Sequence, residues 1–163
     1  MSSAQGSGRG DRMVAAWILD RFDDHHARSV TLFRQMRPLL DPRGEADLPA
    51  LARIRWALLR TLVEFQLFKH RDIFDPVIRL GTPPQQAQAS ALKEDCAQLG
   101  ADVRAFVTRW SNGSAGTAWA DHRAQTIAIL DRVERGLIDQ RRAIITLLLD
   151  NRAIILPAFR ARA

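Results

Sequence analysis

The stretch "LVEFQLFKHRDIFDPVI", residues 62–78, decides how the rest of the chain reads. Leu62, Gln66, His70, Ile73 and Val77 recur at three- and four-residue spacing, so they share one helix face and predict a buried line. Gln66 and His70 are the polar members of that line, one turn apart. Burying such groups without hydrogen-bond partners costs on the order of a few kcal/mol each, so something inside is expected to satisfy them. Pro76 has no N–H to continue the ladder and predicts a kink or an end near Asp75.

Upstream, Asp47 is a natural N-cap and Pro49 suits a first helical turn, so this helix is expected from Asp47 to Gly81. A preceding helix is predicted from about Asp11 to Arg37, with Val14, Ile18, Phe22, Val30 and Phe33 on its apolar stripe. "GTPP" makes a turn, and a third helix is predicted from about Gln85 to Trp110 with Leu92, Cys96, Leu99, Val103 and Phe106 along one side. "SNGSAGT" is a loop of strong breakers. A fourth helix is predicted from Thr117 to Leu156, with Gly136 a weak point and Pro157 the stop. Nothing alternates at period two for long enough to be a strand. Four long amphipathic helices with short connections predict an all-α, antiparallel up-down four-helix bundle. Residues 1–12, small and Gly/Ser-rich, read as a flexible tail, and 13–160 as one domain.

The chain of 163 residues is 47% hydrophobic and 26% charged, enough for a single real core. Its longest apolar runs are too short to span a bilayer, no secretory leader is evident, and no membrane partner is expected. One cysteine, Cys96, cannot form an internal disulfide and suits a reducing compartment, so the expected address is cytoplasmic. Cys96 reads as a small core residue. The net charge of +6 comes from arginines spread singly between acids, as in "LDRVERGLIDQRRA". That is the pattern of a solvated surface, and it argues against nucleic-acid binding.

The same step of three or four puts further polar residues inward. His26 follows Phe22 and precedes Val30 by four, with His25 nearer the edge; Arg141 lies on the line Leu130, Leu137, Leu148, with Arg142 its neighbour. His26, Gln66, His70 and Arg141 together have enough donors and acceptors to form a hydrogen-bonded polar layer, with Glu64 or Asp95 as counter-ion. A metal alternative would use His26 and His70 with Asp72, Asp95 or Asp139, a two-His-one-carboxylate set adequate for iron. His122, beside Asp121, reads as a surface or capping histidine. Trp17, Trp56, Trp110 and Trp119 read as packing residues.

"LARIRWALLRTLVEFQLFKHRDIFDPVI", "DDHHARS" and "ADVRAFVTRWSNGSAGTAWADHRAQTIAIL" resemble the hemerythrin-like (HHE) domains, over residues 14–157. That resemblance implies a four-helix bundle holding a non-haem iron pair, used in oxygen, nitric oxide or iron sensing. It places His26 on a ligand histidine, Gln66 on a histidine, His70 on a glutamate, and Arg141 and Arg142 where carboxylates belong. A neutral amide is a poor ligand, and a guanidinium cannot coordinate a cation. The implied fold is therefore kept while its metal site is expected to be lost, leaving no cofactor, no catalytic residues and a non-enzymatic binding or regulatory module. "LVEFQLFKHRDIFD", "LDRF" and "ERGLIDQRRAIITLLLD" are also similar to bacterial anti-sigma regulators of the Rsd/AlgQ type, which implies a sigma factor as protein partner. The apolar run "IITLLLDNRAIIL" suggests a homodimer.

Overall fold

The computed structural model describes residues 4–42 and 46–161, without the side chains of residues 4–9, 11, 12, 14 and 15. The described residues are all helical apart from turns, with no strand. Helix α1 spans Ala4–Met36 and ends in a 3₁₀ turn, Arg37–Leu40. Helix α2, Leu48–Phe68, runs through a π-helical turn, Lys69–Phe74, into the short α3, Asp75–Leu80. Helices α4, Pro83–Trp110, and α5, Trp119–Asp150, follow, and α6, Arg152–Arg160, closes the chain.

Local chemistry explains the boundaries that the sequence predicts. Asp47 accepts the Ala50 N–H at 2.9 Å, with proline in the first turn of α2. At the other end of that rod the Gly81 N–H reaches the Val77 carbonyl at 2.8 Å, and Gln85 Oε1 takes the Thr82 N–H at 2.7 Å to open α4. Pro76 does not end the helix; the turn before it widens instead. The Asp75 N–H bonds back to His70 O, five residues away, which is π-type spacing. The widening lets Asp72, Ile73 and Phe74 be buried consecutively, which a regular helix facing one core does not allow. Here α3 packs on both α4 and α6, so more than one face is covered.

Two boundaries differ from expectation. The first helix begins at Ala4, so it covers most of the stretch expected as a tail. Its glycines are poor helix formers, but α6 docks there: a Cβ on Gly10 would meet the Arg160 guanidinium at 2.7 Å. Tertiary packing of this kind outweighs intrinsic propensity. The last helix breaks at Asn151, not at Pro157, which sits inside α6. The Asn151 side-chain amide donates to Leu147 O at 2.9 Å beside its own backbone N–H, which reaches the same carbonyl at 3.0 Å and caps α5, and α6 turns to pack on α1 and α3. That turn covers most of residues 144–156: Ile144, Leu147, Leu148, Ile155 and Leu156 are buried and Leu149 alone among its large apolar side chains is exposed.

Helix α1 packs on α2 and α5, and α4 packs on α2 and α5. Between them lies one apolar core that includes Ile18, Phe22, Phe33, Leu58, Phe65, Val103, Leu130, Val133 and Leu137. At Gly136 α5 continues without interruption, and a Cβ there would touch Leu99 at 3.0 Å, so the glycine permits close approach of α4. Cys96 is buried in this core. Truncating a ring such as Phe65, fully buried, is expected to cost about 3–5 kcal/mol.

Candidate functional site

The π-helical turn positions the most unusual side chain in the interior. Lys69 is 3% exposed, and its Nζ donates to Gln140 Oε1 on α5 at 2.5 Å. The same nitrogen stands 4.3 Å from the centre of the Phe65 ring, a cation–π contact. Burial pushes Lys69 below the ordinary lysine range, and the Cys96 sulfur on α4 opposes the fall through charge and a hydrogen bond. One amine thus ties α2 to α4 and α5.

Around this amine lie the residues that the sequence marks out. His26, Gln66, His70 and Arg141 are all half-buried, one register step away from the fully buried groups. His26 is lowered from its usual value by burial first, then by Arg141 and Lys69, against Asp23. Arg141 itself turns outward to bind Asp23 at 3.0 Å. His70 is lowered by burial, then by Lys93 and Lys69, against Asp75, and its Nε2 is buried without a hydrogen-bond partner. Gln66 lies against Gly100 of α4, where a Cβ would collide with its amide oxygen. Lys69 is thus within electrostatic reach of both histidines. The four residues do not form one closed layer; the amine of Lys69, with Gln140 and Cys96, takes the interior position.

The proposed counter-ions and acids are elsewhere. Glu64 pairs with Arg28 at 3.3 Å on the surface, Arg142 is solvent-facing beside Asp139, and Asp95 and Asp139 line an open groove between α4 and α5. Asp72 is buried, but it holds Arg71 in a two-point pair of 2.8 and 2.7 Å. Among the described residues, no three His, Cys, Asp or Glu side chains come together with metal-site geometry. The iron pair implied by the hemerythrin resemblance does not fit these residues: the Lys69 amine lies within electrostatic reach of both histidines and supplies no anionic oxygen, and Gln140 Oε1 already accepts from it.

A second polar cluster lies at the opposite end of α2, and the sequence does not mark it. Arg55 is 9% exposed, and among the described residues no hydrogen-bond acceptor or carboxylate pairs with it. Its Nε is fully covered and unpartnered, and desolvation alone pulls its guanidinium below the ordinary arginine value. His122, expected at the surface, is 2% exposed; its ring stands edge to face with Trp110 at 4.8 Å and beside Phe106 and Trp119. Burial and then Arg55 lower it from the ordinary histidine value, and its Nδ1 has no partner. Aromatic packing against α4, not capping of α5, sets its place.

The outer face of α1 and α2 carries a groove of about 540 Å³ lined by Arg21, His25, Arg28, Glu64, Leu67 and Arg71, among others. Trp56, Val63 and Leu67 are exposed along α2, at 44, 37 and 63%. Trp110 packs inside as expected; Trp17 packs on Phe159 at 4.6 Å with 41% of its surface open, and Trp56 is 44% exposed. No helix among the described residues is long and apolar enough to cross a membrane. No protein-family model, no curated protein and no solved structure matches the chain.

Proposed function

We propose that the chain is an antiparallel four-helix bundle of hemerythrin-like pattern without an iron site, acting as a non-enzymatic binding or regulatory module in the cytoplasm. The consecutive packing of α1 on α2, α2 on α4, α4 on α5 and α5 on α1 is compatible with that bundle. The observation that carries the functional part is the Lys69 amine. It occupies the space between the helices with a donor already bonded to Gln140, where coordination would need converging anionic oxygens. A fold-level likeness does not carry chemistry when the donor set has changed sign.

Binding is the use that the surface favours. Leu67 lines the α1–α2 groove with Arg21, Arg28 and Arg71, and Val63 and Trp56 continue an exposed apolar line along α2 away from it. A partner presenting an apolar helix face and carboxylates would complement it. A regulator that docks on a protein such as a sigma factor is one form of this reading, and self-association through the same face is another.

The test is metal analysis of protein purified without chelator, together with an absorbance scan for oxo-bridged iron. The expected result is well below one equivalent of iron or zinc per chain and no charge-transfer band. More than about half an equivalent, abolished by His70→Ala, would refute the proposal.

A further inference from the structure

Arg55 poses a problem that the fold itself does not solve. A guanidinium taken out of water without a partner costs several kcal/mol, so buried cations are normally paired. Lys69 follows that rule, and Arg55 does not. Helix α2 makes the burial unavoidable, because Leu51, Arg55 and Leu58 follow one another on its core-facing line.

The surroundings of Arg55 describe what is missing. It lines a largely closed cavity of about 10 Å³ with Met36, Leu58, Phe106, Val107 and Val133. That is room for one particle of about the size of a water molecule. Every other wall named is apolar, so the charge has no counterpart there. His122 lies within electrostatic reach, with an unpartnered Nδ1. Nε is the fully covered atom of Arg55, and the residue as a whole keeps 9% of its surface open.

We infer that Arg55 and its cavity form a binding site for a single monoatomic anion of the halide class, with chloride the abundant candidate. The cavity is too small for sulfate or phosphate. A water would satisfy the Nε hydrogen but leave the guanidinium charge unbalanced, whereas a halide does both. The site is separate from the Lys69 region and does not depend on whether that region holds metal.

Two measurements test it. Crystals grown in bromide and measured at the bromine edge should show an anomalous peak within hydrogen-bonding distance of Arg55 Nε. A water or empty density there would overturn the proposal. In solution, thermal melts at constant ionic strength should show a saturable rise of a few degrees when gluconate is replaced by chloride, and the rise should vanish in Arg55→Met. Melts that are the same in both salts, or an equal rise in the variant, would overturn it. The bromide measurement uses the unmodified chain, so the proposal stays testable if the variant folds poorly.

Discussion

Lys69 and Arg55 stand on the same rod, both cationic and both buried, yet their surroundings differ in kind. Lys69 has an amide oxygen, a sulfur and a ring face arranged around it from three helices. Arg55 has an apolar cavity and a buried histidine. The comparison teaches that a buried charge is not in itself a sign of function. What matters is whether the chain supplies the counterpart. Where it does, the charge is part of the scaffold; where it does not, a ligand is the economical explanation.

The largest effect is expected from removing the satisfied cation and its volume together. Lys69→Ala should lose about 3–4 kcal/mol in urea unfolding, because it opens a hole and leaves Gln140 Oε1 without its donor. A loss under about 1 kcal/mol would mean that the amine is not anchored as described.

A middle-sized effect separates the two ends by pH. His25, His26, His70 and His122 are all lowered from 6.5 in the folded chain, with burial the first cause. The unfolded chain therefore binds more protons as pH falls below that value. Stability is full above about pH 6.5 and is lost as pH drops through the folded values. The melting temperature should fall by several degrees between pH 7 and pH 5. His122→Phe, which keeps the aromatic packing, should flatten part of that fall; an unchanged slope would show that His122 is not a source of it.

The smallest effect is expected at a third cation, on the surface. Arg37 pairs with Asp131 at 2.8 Å and with Glu134, all three partly exposed. Arg37→Ala should cost no more than about 1 kcal/mol and less in high salt, as exposed pairs do. A larger cost would blur the contrast between interior and surface charges.

The helix ends around the second and third predicted helices were legible because their signals are local. Asp47, Pro49, Gly81 and Trp110 mark boundaries through caps and breakers that need no knowledge of the fold. The site was legible only to within one residue, and the reason is geometric. Steps of four along a helix advance about 400°, so a line drawn by fours drifts outward by about 40° each time. The buried seams mix steps of three with steps of four instead: Phe22, His25, Ser29, Phe33 and Met36 on α1, and Val133, Leu137, Gln140, Ile144 and Leu147 on α5. That mixture of threes and fours selects His25 over His26 and Gln140 over Arg141. Reading α2 the same way passes through Arg55, Phe65 and Lys69, and the two cations among them look like surface residues by type alone. The π-helical turn was not legible, because it goes with α4 and α6 both packing on this segment, which no local pattern announces.

The most direct test sets the two cations against each other by the same substitution. Lys69→Met and Arg55→Met keep side-chain bulk and remove charge, and both can be measured by urea unfolding in halide-free buffer. Lys69→Met should be less stable by about 1–3 kcal/mol, since Gln140 is left with a buried, unpaired oxygen. Arg55→Met should be more stable by about 1 kcal/mol or more, since it orphans nothing and removes an uncompensated charge. Two changes of the same sign would contradict the account.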